Sequence, residues 1–286
     1  MTDRDWCALN RANWDERVGI HLGPRGYDLE PLRAGRGRLH AIEEAELGDV
    51  SGLRVLHLQC HFGKDTLVLA QRGANVVGLD FSSSAIAAAR QLADELGLSE
   101  RSRFVEADLY DAPDAVPEPA SFDVVFVTWG ALCWLPDLKR WAEIVAHFLR
   151  SGGFLYLADA HPAAYVFDDS KATPDGRPGW FVPYFRREPL VIDEPFDYAD
   201  ESARLTHATI CVWMHPLSEI IRALLEAGLR LAWLHEHDAV AWRMFASLVR
   251  DEQGMYRWPD QPWLPLSFSL RAEKPANSSA SSAQRS

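Results

Sequence analysis

The chain has 286 residues, 48% of them hydrophobic, and a formal net charge of −12. That length suits one large domain, or one domain with a lid, and the apolar content suffices for a substantial core. The acidic balance, with no run of lysine or arginine, argues against nucleic acid or an anionic membrane as the main partner.

No uncharged apolar stretch exceeds strand length, so no transmembrane span is expected. Residues 1–20 carry Asp3, Arg4, Asp5, Arg11, Asp15 and Glu16, unlike a secretory signal. Cys7, Cys60, Cys133 and Cys211 form no C-x-x-C pair and read as the reduced thiols of a cytoplasmic protein.

Leu53–Leu58 reads as a strand, Asp65–Arg72 as a helix stopped by Gly73, and Asn75–Leu79 as a second strand. Ser82–Ser84 offer caps to an alanine- and leucine-rich helix ending near Gly97. Arg103–Ala107 is a third strand, and "FDVVFVT" (Phe122–Thr128) a fourth, apolar enough to be covered on both faces. Asp137–Leu149 has helical spacing, and Gly152–Gly153 turn the chain into a fifth strand, "FLYLAD". This rhythm predicts an α/β fold with a doubly wound, seven-stranded, mostly parallel sheet.

Residues 162–206 break the rhythm with proline, aspartate and aromatics, and read as a cover over the sheet's carboxyl edge. "THATICVWM" is expected as a strand of that cover, Pro216–Ala227 as a helix before Gly228, and "LRLAWLHEH" and "LPLSFSLRA" as a closing antiparallel hairpin. His235 and His237 would share a strand face. A mononuclear metal site wants a third ligand, so no metal is expected. The predicted organisation is an N-terminal lid (1–50), a core (51–160), a cover insertion (161–214), the end of the sheet (215–274) and a disordered tail (275–286).

Open α/β sheets bind ligands beyond the carboxyl ends of their strands. There the chain places "HLQCHFG", then Asp80-Phe81, then Asp108-Leu109, then Thr128-Trp129-Gly130. An acid after the second strand can accept from both ribose hydroxyls, the aromatic beside it can pack on a purine, and an acid after the third can accept from an adenine amino group. That set asks for an adenosine without pyrophosphate. The G-x-G-x-x-G of nicotinamide dehydrogenases is absent.

"VLHLQCHFGKDTLVLA", "VVGLDFSSSAI", "FVEADLYD" and "FDVVFVTWGALCWLPDLKRWAEIVAHFLRSGGFLYLAD" resemble class I S-adenosylmethionine-dependent methyltransferases over roughly residues 50–160. Gly63, Asp80, Asp108 and Gly152-Gly153 match in order and spacing. The family commonly has an acid near the end of strand one and glycines at the turn, where this chain has His57, Gln59 and His61. The "LHLQCHFG" form resembles a bacterial subgroup of small-molecule tailoring enzymes of secondary metabolism.

The resemblance implies S-adenosylmethionine as cofactor. Trp14, Gln59, Cys60, Gly63, Asp80, Phe81, Asp108, Leu109 and Thr128 are the expected cofactor-binding residues, and His161, Tyr27 and Asp28 the expected catalytic ones, with Asp159 orienting His161 or binding substrate. A segment before strand one folds over the cofactor in such enzymes, which makes Trp14, Tyr27 and Asp28 the lid candidates. One glycine suffices at the turn if the loop approaches its ligand less closely than a pyrophosphate loop does. Eleven tryptophans, among them Trp129, Trp134, Trp180, Trp213, Trp242 and Trp263 in loops or cover, suggest an aromatic pocket for a planar acceptor. Indole C3 of a tryptophan-containing cyclodipeptide is one candidate; N- and O-methylation of another natural product, and cofactor binding without transfer, stay open. The expected partner is a small molecule bound by a monomer or homodimer.

Overall fold

A computed structural model describes residues 5–276. Its centre is a seven-stranded sheet. The strands are β1 (Arg54–Leu58), β2 (Asn75–Asp80), β3 (Ser102–Glu106), β4 (Phe122–Thr128), β5 (Leu149–Ala160), β6 (Arg230–His237) and β7 (Ser267–Glu273). Their spatial order is β6-β7-β5-β4-β1-β2-β3. Strands β1 to β5 pair in parallel, and β7 runs against both β5 and β6. The expected doubly wound sheet with a closing hairpin is therefore the fold.

Alternation along the central strands explains the two helical layers. Val124 and Phe126 of β4 face one side, with α2 (Lys64–Gln71) and α3 (Ser83–Glu95). Val125 and Val127 face the other, with α4 (Leu138–Phe148) and α5 (Leu217–Glu226). Asp137 caps α4 by accepting from Arg140 N at 3.0 Å, and Ser82 caps α3 by accepting from Ala85 N at 3.0 Å. Trp141 and Phe148 of α4 are fully buried. The order reverses between β1 and β4, and such a switch point opens a crevice at the carboxyl ends of the strands.

Three small sheets roof that crevice. Phe167–Asp168 pairs with Gly179–Trp180, and Leu190–Asp193 with Thr209–Val212. Ala239–Val240, Val249–Arg250 and Tyr256–Arg257 form a three-stranded sheet. The third lies within the long connection between β6 and β7, outside the expected cover.

The N-terminal segment, expected as a lid, includes a 17-residue helix that was not foreseen, α1 (Asp5–His21). Its buried face is polar: Asn10, Asn13 and His21 are fully buried. Asn10 exchanges two hydrogen bonds of 2.8 Å with the Cys211 backbone, and Asn13 Nδ2 donates to His207 O at 2.7 Å. The helix thus docks on the cover by hydrogen bonding, which leaves no apolar period to read. The expected tail lies outside the described residues from 277 onward, as do Asp3 and Arg4.

Candidate functional site

A cavity of about 850 Å³ fills the space between strand ends and roof. All the expected cofactor-binding residues line it: Trp14, Gln59, Cys60, Gly63, Asp80, Phe81, Asp108, Leu109 and Thr128. Tyr27 and Asp28 line it as well.

The loop after β1 keeps a glycine-like backbone without the glycines. Gln59 has φ 57° and His61 φ 52°, left-handed conformations that cost a non-glycine residue roughly 1–3 kcal/mol each. The loop thus keeps left-handed backbone at two positions that are not glycine. Gln59 Nε2 donates to Ala131 O at 2.9 Å, while its Oε1 is buried and has no partner among the described residues. Gly63 is required for packing: φ is 77°, and a Cβ there would lie 2.6 Å from Phe104 Cε1. His57, in place of the family's acid, bonds Thr66 Oγ1 at 2.8 Å, and burial pushes its pKa down to about 4. It is neutral near pH 7 and offers no charge to a ligand.

Asp80 joins the loop to β2. Its Oδ2 accepts from His61 N at 2.8 Å and its Oδ1 from Ser82 N at 2.9 Å. Burial outweighs these bonds and raises its pKa to about 6. Asp108 accepts from Tyr110 N at 2.8 Å through Oδ1 and from Cys7 Sγ at 3.1 Å through Oδ2. Burial and the Asp108 carboxylate push the Cys7 thiol up to about 12, so it stays a donor.

The lining is rich in aromatics. Trp6, Trp14, Trp129, Trp134, Trp213 and Trp242 line the cavity. Trp14 meets Trp134 edge-on at 5.3 Å. Trp129, itself at φ 51°, is anchored by its Nε1 donating to Glu43 Oε1 at 2.5 Å. Trp180 instead is 74% exposed, and Trp263 packs on Trp258.

At the end of α1, three distant segments meet. Asp197 Oδ2, from the cover, is 3.0 Å from His21 Nε2 and 2.9 Å from Arg17 Nη1. His21 Nδ1 is 2.7 Å from His61 Nε2. Burial raises the Asp197 carboxyl, but the bond from His21 and its positive surroundings outweigh this and leave it below the ordinary value, ionised. Burial, then the neighbouring His21, hold His61 well below the ordinary imidazole value. Beside them Tyr27 OH is 2.9 Å from Tyr198 OH, and burial holds the Tyr27 phenol protonated. Asp28 spends Oδ1 on Glu30 N at 3.0 Å, closing a turn.

His161 is not on the cavity wall. Its backbone N–H donates to Leu266 O and extends the β5–β7 ladder. The ring then falls beside Phe268, with Nε2 3.0 Å from Glu236 Oε1. Asp159 is consumed as an acceptor for four backbone N–H groups, those of Gly130, Ala131, Leu132 and Ala160. Neither lines the cavity, so the structure does not bring them to the other expected site residues. His235 and His237 hold Glu46 and Ser269, each at 2.8 Å, and no cluster able to hold a metal occurs among the described residues. No helix among them is long and apolar enough to cross a membrane.

Sequence reasoning gave no role to His21, His61 or Asp197, which the fold joins in one hydrogen-bond chain. His61 was visible as an imidazole standing in for a glycine; the other two carry no local signal.

Residues 55–153 match the family model for a methyltransferase domain. A ubiquinone biosynthesis O-methyltransferase of Pseudomonas aeruginosa is 30% identical over 143 residues, covering 49% of this chain and 56% of that one. The chain spans 18% to 59% of the lengths of the curated relatives it matches. Among solved structures, an S-adenosylmethionine-dependent methyltransferase from Mesorhizobium loti superposes with TM-score 0.55 at 22% identity, over 81% of this chain and 95% of that one. The glycopeptide N-methyltransferase MtfA, complexed with S-adenosylmethionine, gives TM-score 0.53 at 18% identity, over 88% and 98%. Residues 55–153 are thus similar to a methyltransferase domain, and the chain's fold is like that of the solved S-adenosylmethionine-dependent methyltransferases.

Proposed function

We propose that the chain transfers a methyl group from S-adenosylmethionine to a small aromatic or heterocyclic acceptor. The observation that carries this reading is the meeting of the loop after β1, Asp80 and Asp108 in one cavity that six tryptophans also line. Asp80 would take the ribose hydroxyls, Phe81 and Leu109 would flank the adenine, and Asp108 would accept from its amino group. The orphaned Gln59 Oε1 fits the ammonium of the methionine part. When bound, this cofactor supplies a methyl carbon already activated by a sulfonium, and the protein's work is alignment and proton removal.

The relatives named for O- and N-methylation support a small-molecule acceptor. The tryptophan-rich wall favours a planar one, with indole C3 of a tryptophan-containing cyclodipeptide as the leading candidate, then an amine or heterocycle nitrogen, then a hydroxyl. The chain works in the cytoplasm as a monomer or homodimer, without nucleic acid or membrane. The test is transfer of label from methyl-labelled S-adenosylmethionine to a tryptophan-containing cyclodipeptide, an aryl amine and a phenol, read by mass spectrometry. Label on the indole carbon is expected. Binding of S-adenosylhomocysteine with no label on any probe would favour a non-catalytic binding protein.

A pH dependence follows from Asp80. Its carboxyl titrates near 6 in the free protein, and accepting hydroxyl hydrogen bonds favours the ionised form, so ligand binding lowers its pKa. Affinity is full about one pH unit above that pKa and falls below it as the carboxylate gains its proton. S-adenosylhomocysteine should bind about tenfold more weakly at pH 5 than at pH 7.5. Calorimetry at the two values tests this, and a flat profile in the wild type would remove Asp80 from ribose binding.

A further inference from the structure

We infer that His61 is the general base for the acceptor's proton, held in the required tautomer by His21 and Asp197. The inference rests on the methyl-transfer reading above. His61 lines the cavity; its Nε2 is engaged by His21 Nδ1 at 2.7 Å, and its Nδ1 meets no hydrogen-bond partner among the described residues.

The chain of hydrogen bonds fixes each proton. Asp197 also accepts from the Ala199 amide at 2.7 Å and is an acceptor only, so His21 Nε2, 3.0 Å away, must carry a hydrogen. Arg17 meets that carboxylate at 2.9 Å and Glu194 at 3.5 Å, and we take the fully buried His21 as neutral, with its hydrogen on Nε2 alone. A neutral His21 then has a bare Nδ1, which accepts from His61 Nε2–H. His61 in turn has its bare nitrogen, Nδ1, available to the cavity. The arrangement follows the logic by which a carboxylate orients a catalytic imidazole, with one more imidazole inserted.

The other groups around His61 do not compete for this role. From α1 come Arg17 and His21, from the turn after it the protonated Tyr27, from the cover Asp197 and Tyr198, and from β2 Asp80, which binds the His61 amide. In the step, the acceptor's N–H or O–H bond (N1–H of an indole) breaks and an Nδ1–H bond forms. The pair so released, reaching C3 by conjugation in an indole, takes the sulfonium methyl carbon, whose bond to sulfur breaks with its pair left on sulfur. The imidazolium of His61 keeps its Nε2–H bond to His21 and loses its proton to water when product leaves. The three residues come from the N-terminal segment, the loop after β1 and the cover, so the base is assembled only when all three are docked. The left-handed backbone at position 61 has a use on this reading, because glycine there would supply no imidazole.

Long-range proton–nitrogen correlation spectra of isotope-labelled histidines decide the matter. In the wild type, His21 and His61 should both be neutral with hydrogen on Nε2 and none on Nδ1. In Asp197→Asn the charge that Arg17 and His21 share at Oδ2 is lost, and the Nε2–H forms of His21 and His61 should no longer be the sole tautomers. A wild-type His61 with hydrogen on Nδ1 would overturn the inference; should Asp197→Asn not fold, the wild-type spectrum decides alone. With any probe that accepts label, His61→Gln should lower the rate about 10²–10⁴-fold while S-adenosylhomocysteine still binds in calorimetry. A wild-type rate in that variant would equally overturn it. Absence of S-adenosylhomocysteine binding in the wild type would instead defeat the methyl-transfer reading and leave the tautomers readable.

Discussion

Asp159→Ala should cost about 3–5 kcal/mol of stability, a large share of what a domain of this kind has to lose. The carboxylate is 3% exposed and accepts from Gly130 N at 2.5 Å, Ala160 N at 2.7 Å, Leu132 N at 3.0 Å and Ala131 N at 3.1 Å. Alanine would leave these donors without a partner, at about 1–3 kcal/mol for each that stays buried. Relief from burying a carboxylate offsets part of that sum. The loop so released carries Trp129 and Gly130, which line the cavity, so ligand binding should fall with stability. Asp159→Asn keeps one acceptor oxygen and should lose roughly half as much. Urea unfolding measures both, and an unchanged midpoint for the alanine variant would show that water replaces the carboxylate.

Gly63→Ala is expected to be nearly as damaging, by about 2–5 kcal/mol, for an unrelated reason. At φ 77° an alanine pays roughly 1–2 kcal/mol for its left-handed backbone. Its Cβ would also lie 2.6 Å from Phe104 Cε1 and 3.0 Å from Ala89 Cβ, between β3 and α3. Forcing these apart adds about 1–3 kcal/mol. Gln59 and His61 carry positive φ with room for their side chains, and Gly63 does not have that room. A Gly63→Ala protein as stable as the wild type would mean that Phe104 yields freely.

This contrast marks what was legible in the sequence. The sheet was legible because β4 and β5 are apolar on both faces and each helix carries its own period. Asp80 and Asp108 were legible because a residue at the end of a parallel strand must face the crevice. The helix α1 was hidden because its buried face is mostly polar, with Asn10, Asn13, Arg17 and His21 beside Val18. His161 was misplaced because one extra ladder bond, to Leu266, carries it past the strand end and onto the β6 side. The His61–His21–Asp197 chain was not legible at all: His21 and Asp197 lie 176 positions apart, and only docking of helix on cover joins them.

The most direct measurement is calorimetric titration of S-adenosylhomocysteine and of NAD, at pH 7.5, into the wild type and a folded Asp80→Ala variant. The wild type should bind S-adenosylhomocysteine and give no heat with NAD, and the variant should bind about 10–150-fold more weakly, the loss of one or two hydrogen bonds to a charged group. Binding of NAD without S-adenosylhomocysteine, or full affinity in the variant, would contradict the assignment of this cavity to a methyl donor.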